Sequence, residues 1–410
     1  MKQKKTFLAL LALFSLSMSS VIAQTANVYV GGAANGKATV WKNGTPAYLS
    51  TRESCISSLV VDNGDVYAAG IEYESGGYFA KLWVNGVIQH SFNNGVADDV
   101  FAFSVAVSGS NVYVAGMELL GFSVKGKLWK NGIAETGYSE AAALYSIFIS
   151  GNDVYVAGVT TTATAAVWKN GTLLYNLASN DGYGCATSVV VVDDDVYTAG
   201  YEQKSGKYVS KVWKNNKTLY TLGTGSFEKE IIGLYIFNGD IYVSGFEENE
   251  KGTAIAKLWK NGIGTNLTNG TTDSYASSVF VSGSDVYVTG TEDSNKALLW
   301  KNDVLTTLAS GINCVAICVF VTEGETGMSE IIAKKISVYP NPTSGELRID
   351  SEELRIEKVE IFDMSGRNLL LSTFPIFQHT TIDISQLSAG TYFVKITTES
   401  GEAIKKVIKE

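Results

Sequence analysis

The chain has 410 residues, of which 45% are hydrophobic and 11% aromatic, enough for two domains with packed cores. Its formal charge of -9, with acidic and basic residues scattered rather than blocked, disfavours nucleic acid as a partner. Two histidines, His90 and His379, lie far apart, which excludes a histidine metal cluster and a repeated Ser/His/Asp constellation.

The first element, "MKQKKTFLALLALFSLSMSSVIAQ", runs from Lys2, Lys4 and Lys5 through an apolar stretch to small residues ending at Ala23. That order predicts a secretory signal peptide over 1–23, cut before Gln24. Serines interrupt the apolar run, and no later run reaches the ~18 apolar residues of a membrane helix, so no transmembrane segment is expected. Export opens an oxidising compartment to Cys55, Cys185, Cys314 and Cys318. They have no CxxC spacing, and a core of this size needs no staple.

From residue 27 one skeleton recurs, as in "DVYVAGVTTTATAAVWKNG" at 153–171. All seven tryptophans fall in it, at 41, 83, 129, 168, 213, 259 and 300, in steps of 39 to 46 residues. A tyrosine and, three residues on, a glycine precede each, from Tyr29 and Gly32 to Tyr287 and Gly290. Each unit predicts four short antiparallel strands of the types "SSVFVSG", "DVYVTG", "KLWKNG" and "TLYTL", joined through Asn-Gly turns that supply positive φ. A period of this length marks propellers and solenoids, and the ends of the repeat decide between them. The repeat opens on a second strand, "NVYVGG", while an orphan first strand, "CVAICVFV" at 314–321, follows the last tryptophan. The expected fold is therefore all-β: a seven-bladed β-propeller over 24–323, closed by a C-terminal innermost strand.

Within the first strands one column is small: Ser58, Ser104, Ser146, Ser188, Gly233, Ser278 and Cys318. It reads as crowding near the axis rather than as a hydroxyl ring for a ligand. The tyrosine and tryptophan columns likewise read as packing between blades.

Positions that differ among blades carry more functional information. The glycine-to-tryptophan spacing is 13 or 14 residues in blades two, three, five and six, against 9 or 10 in blades one, four and seven. The long hairpins share Glu72 with Lys81, Glu118 with Lys127, Glu202 with Lys211 and Glu247 with Lys257, predicted to be cross-strand ion pairs. Two raised walls would then flank a trough from blade four to the junction of blades seven and one. Aromatics Tyr73, Tyr78, Phe122, Tyr183, Tyr208 and Phe246, with Phe79, Phe92, Tyr138 and Tyr275 beside them, either line that trough for a sugar or an extended peptide, or pack on neighbouring loops. No GxSxG, HExxH or P-loop pattern occurs, so no catalytic residue, metal ligand or cofactor is assigned. The acidic runs "DDD" at 193–195 and "EEN" at 247–249 read as solvated turns rather than calcium ligands.

A polar segment, 324–333, follows as a linker, and the grammar then changes. "ISVYPNPTSGELRID" places a turn between two strands, "KVEIFDMSGRNLLL" reads as a hairpin, and three more strands end the chain, a small β-sandwich of about 75 residues.

Residues 334–410 resemble the C-terminal sorting domain of type IX secretion substrates in the Bacteroidota. The likeness rests on Tyr339, Pro340, Asn341 and Pro342, on the "IFDMSGR" hairpin with Asp363 and Gly366, on "LSAGTYFVKI" with Gly390 and Tyr392, and on the basic end "KKVIK". It implies an Ig-like signal read by the type IX translocon after Sec export. A sortase-like peptidase would then remove it between Glu323 and Lys334, leaving the cargo secreted or attached to surface lipopolysaccharide. The propeller is expected to be a non-catalytic binding or adhesion module for a glycan or protein, the alternatives being a polysaccharide-active enzyme with carboxylates on the long-loop face, or a structural surface component.

Overall fold

The computed structural model describes residues 26–322 and 335–410, apart from 75, 93–94, 96, 178–182, 205–206, 223–228, 352–354, 364–366, 377–378 and 399–400. The expected signal peptide, the linker with its cleavage point, and Gly366 lie outside the described residues. The described residues are all-β, and Asn27–Thr322 forms a compact unit by itself.

Among the described residues that unit holds seven four-stranded antiparallel sheets, each carrying one tryptophan, and it fits a propeller-like fold. In the Trp168 sheet the strands run Ala141–Ser150, Asp153–Thr160, Ala165–Lys169 and Thr172–Asn176 in spatial as well as sequence order. One sheet departs from this continuity. The strand Val315–Thr322 pairs with Asn27–Ala34, placing Val319 opposite Val30 and completing the Trp41 sheet. Every inner strand packs on the inner strand of the next sheet, and Val315–Thr322 packs on Ser54–Asp62 of the Trp83 sheet.

The turn chemistry of the Trp-Lys-Asn-Gly motif explains its recurrence. Asn170 adopts φ 50° and Gly171 φ 78°, the left-handed pair of a two-residue hairpin. The Asn170 side chain then reaches back across the hairpin: its Oδ1 accepts the Val154 N–H at 2.8 Å and its Nδ2 donates to Asp153 Oδ1 at 2.7 Å. Asn43, Asn85, Asn131, Asn215, Asn261 and Asn302 repeat this clamp on Val28, Val66, Val112, Val196, Ile241 and Val286, at 2.8–2.9 Å. The lysine of the motif lies over the tyrosine ring in six sheets, at 5.1–5.4 Å from the centroid. In four of them its ammonium also meets the strand-starting aspartate, as in Lys169–Asp153 at 2.8 Å.

Each inner strand carries a bulge, as at Leu144/Ser146, where the register shifts by one residue against the second strand. The bulge draws the two backbones together over the glycine column. A Cβ on Gly116 or on Gly158 would overlap the carbonyl oxygen of Phe101 or of Ala143. The inner strand is a sheet edge, and its outward N–H groups are accepted by the neighbouring sheet's serine: Val105 to Ser58 at 3.2 Å, Ile147 to Ser104 at 3.3 Å, Val189 to Ser146 at 3.2 Å. The small column therefore links sheets as well as relieving crowding. At the junction of the two chain ends Cys318 takes the serine position, and the Leu59 backbone N–H meets its sulfur. All seven tryptophans are buried between sheets.

The expected hairpin ion pairs form at Glu118–Lys127, 3.1 Å, and at Glu202–Lys211 and Glu247–Lys257. The Trp83 sheet differs: Lys81 bonds Glu74 at 2.7 Å, because Ser50 and Arg52, on the segment entering this sheet, take Glu72 in its place. All four cysteines are free thiols.

The C-terminal unit, described by itself, has a three-stranded sheet of Ile336–Tyr339, Glu346–Ser351 and His379–Asp383. A four-stranded sheet of Asn368–Ile376, Ile356–Phe362, Gly390–Thr398 and Gly401–Lys409 shares a core with it through Leu347, Ile349, Val359, Ile361, Val394 and Val407. Two antiparallel sheets sharing one core are compatible with the expected small sandwich.

Candidate functional site

Two sets of connections come together on one side of the repeat unit, because each second strand ends where the next first strand begins. They are the hairpins between second and third strands and the segments that enter each inner strand. The second strands Asp65–Glu74, Asn111–Leu120 and Asp195–Lys204 have 10 residues and Asp240–Glu248 has 9. Asn27–Ala34, Asp153–Thr160 and Asp285–Glu292 have 8, so the hairpins of the Trp83, Trp129, Trp213 and Trp259 sheets reach further.

The aromatic residues of this side divide into two groups. Tyr73, Phe122, Tyr183 and Tyr208 are exposed. Tyr73 packs edge-on against Tyr78 with centroids 5.2 Å apart, and Tyr208 packs the same way on Tyr201 at 5.2 Å. The carbonyl of Tyr183 accepts the Gln203 N–H at 2.6 Å, which ties it to the Tyr208 hairpin. Tyr78 is half-buried, stacks on Phe101 at 6.4 Å, and donates its hydroxyl to Glu53 at 2.8 Å. Phe246 belongs to the second group: it is 9% exposed and packs edge-on against Tyr275 at 4.8 Å. Phe79, Phe92 and Tyr138 are buried too, Phe92 against Trp129 at 4.8 Å and Tyr138 against Trp168 at 6.5 Å.

A cleft of about 320 Å³ opens at the short hairpins of the Trp41 and Trp300 sheets, lined by Gly36, Glu53, Cys55, Tyr78, Ser294 and Asn313 among others. It lies where the expected trough would end, beside the Tyr73–Tyr78 pair. The hydrogen bond to Glu53 raises the Tyr78 phenol, so that hydroxyl stays protonated and fixed. Burial pushes the Cys55 thiol up to about 12, which keeps it a neutral thiol rather than a nucleophile.

Other sequence candidates resolve into structural roles. Asp193 and Asp194 occupy the left-handed turn of a hairpin, and Asp195 pairs with Lys214 at 2.7 Å. Asn249 caps its own hairpin, accepting the N–H groups of Lys251 at 2.9 Å and Thr253 at 3.1 Å. Among the described residues no group of three or more His, Cys, Asp or Glu side chains is arranged to hold a metal ion.

In the C-terminal unit the Tyr339 hydroxyl bonds Asp350, and Pro340 and Pro342 flank an exposed Asn341. Asn341 clamps the last strand, donating to the Lys406 carbonyl and accepting the Ile408 N–H, both at 2.9 Å. Asp363 accepts both the backbone N–H and the Nε of Arg367 at 3.1 Å. Gly390 opens the strand in which Tyr392 is buried, its hydroxyl on the Ser388 carbonyl at 2.7 Å.

Sequence reasoning missed the asparagine clamp, whose signal was the invariant Asn itself, and the Arg52–Glu72–Glu74–Lys81 network, whose members lie on three separate segments.

Residues 337–410 match the family model of the secretion system C-terminal sorting domain. No curated protein matches the chain. Among solved structures, a prolyl endopeptidase is similar at 9% identity and a TM-score of 0.43, over 81% of this chain and 55% of that one. A puromycin-hydrolyzing peptidase of Mycobacterium tuberculosis is similar at 8% identity and a TM-score of 0.47, over 80% of this chain and 59% of that one. Drosophila Semaphorin 1a, extracellular domains 1-2, is similar at 7% identity and a TM-score of 0.41, over 88% and 87% of the two chains. The chain thus spans less than two thirds of the length of either peptidase.

Proposed function

We propose that residues 24–323 close into a seven-bladed β-propeller that binds a glycan or protein through its long-hairpin face outside the cell. The C-terminal sorting domain directs the chain through type IX secretion to the cell surface or beyond, and among the described residues no helix is long and apolar enough to cross a membrane. Around that established route we place a signal peptide at 1–23 read by Sec, a linker at 324–333, and a sorting domain at 334–410 that meets the type IX translocon and a sortase-like peptidase. After removal of that domain the propeller is released or held by lipopolysaccharide on a member of the Bacteroidota. Pairing of Val315–Thr322 with Asn27–Ala34, and its packing on the Trp83 sheet, support the ring closure.

The observation that carries the binding reading is the exposure of Tyr73, Phe122, Tyr183 and Tyr208 on the longer hairpins and their adjoining connections. Exposed rings held edge-on by a second ring are rigid stacking platforms for a sugar face or a peptide. Tyr78, at the wall of the 320 Å³ cleft, completes the set, whereas Phe246 supports the hairpin from inside. The alternative is a polysaccharide-active enzyme with carboxylates on the same face; Glu72 and Glu74, two carboxylates there, are both paired with Arg52.

An array of glycans and extracellular proteins probed with the leader-free chain tests the reading. The triple substitution Tyr73→Ala, Phe122→Ala, Tyr208→Ala should weaken the best hit by about tenfold or more, each lost stacking contact costing roughly 0.5–1.5 kcal/mol. Binding that survives the triple substitution would remove the aromatic rim from the account.

A further inference from the structure

The Trp83 sheet departs from its sisters at one place. In the Trp129, Trp213 and Trp259 sheets the hairpin glutamate meets the lysine of the third strand. In the Trp83 sheet Lys81 turns to Glu74 and to the Ser91 hydroxyl, each at 2.7 Å. Glu72 is left with the Ser50 hydroxyl and with Arg52 at 3.5 Å, while Arg52 binds Glu74 more closely, at 2.9 Å. Glu72 and Lys81 are nevertheless 5% and 3% exposed.

These groups form the floor of a second cleft, of about 500 Å³, between the outer strand Thr45–Tyr48 and the Trp83 sheet. That volume falls within the roughly 300–1,000 Å³ of small-ligand sites. Its walls include Tyr48, which is 56% exposed, together with Leu49 and Ile88.

Three physical points select the ligand. A carboxylate offers about four acceptor positions, and Glu72 uses two of them, for one hydroxyl and one long guanidinium contact, so acceptor capacity remains for a ligand. A carboxylate so deeply buried ordinarily collects more donors than this. Arg52 uses only Nη1 in these side-chain bonds and its side chain is 56% exposed, leaving donors in the same cleft. Glu72 and Glu74 are balanced in charge by Arg52 and Lys81, so the cleft gives no net attraction to an anion or a cation. What fits is a neutral ligand whose groups both donate and accept, with an apolar face to lie on Tyr48.

The geometry points to a saccharide-binding cleft in which Glu72 accepts and Arg52 donates hydrogen bonds to the hydroxyls of a neutral sugar, and Tyr48 covers its C–H face. It shares the long-hairpin side with the binding reading above but stands on different side chains. The test uses the leader-free full chain on an array of neutral oligosaccharides, with hits measured by calorimetry. Tyr48→Ala, an exposed position with no part in the ion-pair network, and Arg52→Gln should each weaken the hit by about tenfold. Glu72→Gln, with the unfolding midpoint recorded alongside, should weaken it at least as much, and the rim triple substitution should leave it unchanged. No neutral sugar on the array binding, or a hit untouched by Tyr48→Ala and Arg52→Gln, overturns the proposal. A hit lost only with the rim triple substitution overturns it too, while supporting the rim. A protein or peptide captured through Tyr48 and Arg52 in place of a sugar also overturns it.

Discussion

A single asparagine per repeat carries much of the local order. Asn170 occupies a left-handed backbone region that asparagine tolerates better than most L-residues and makes two hydrogen bonds across its hairpin. Asn170→Ala removes both bonds and strains the turn, so it should destabilise the protein by about 2 kcal/mol. A lowered urea midpoint measures this, and an unchanged midpoint would show that solvent replaces the clamp at no cost. The same residue explains why the motif recurs without implying chemistry: an asparagine used seven times for one backbone task is not seven ligand sites.

At the scale of the element, the hairpin ends titrate. Hydrogen bonds from Lys169, Lys214, Lys260 and Lys301, and next from the clamping asparagines, hold Asp153, Asp195, Asp240 and Asp285 below the usual carboxylate range. A carboxyl lowered in the folded state contributes stability that is complete above its unfolded value, about 4, and is lost as pH falls through the folded value. The lysines are raised, so their share is complete below about 10.5 and is lost as pH climbs past it. Stability should therefore show a plateau between these limits and an acid limb. Changing all four aspartates to asparagine should flatten that limb in thermal melts taken from pH 6 to pH 2, roughly the window around their ordinary value. An acid limb identical in the variant would place acid unfolding elsewhere. Hairpin length is likewise an element property, and it was legible as spacing: the second strands run 9 or 10 residues where the glycine-to-tryptophan gap is long and 8 where it is short.

At the scale of the whole molecule, the proposed ring depends on one late strand. Val315–Thr322 supplies the inner strand of the Trp41 sheet and buries Cys318, Val319 and Val321. A chain ending at residue 323 should melt cooperatively, while one ending at 313 exposes the edge of Asn27–Ala34 and the Ile56–Leu59 cluster and should lose that cooperativity. Equal melting of the two truncations, read by calorimetry, would detach this strand from the integrity of the unit.

The sequence by itself determined what is local and repeated. Alternation, Asn-Gly turns and the seven tryptophans specify four-stranded units, and the orphan strand after Trp300 specifies its pairing with the start of the repeat, because hydrogen-bonding pattern and turn conformation are carried within a few residues. The tertiary structure alone decided what depends on residues a whole sheet apart. Ser58 accepts from Val105, and Phe246 is covered by Tyr275. No spacing rule reports such contacts, since each is set by how one twisted sheet packs its side chains into the next.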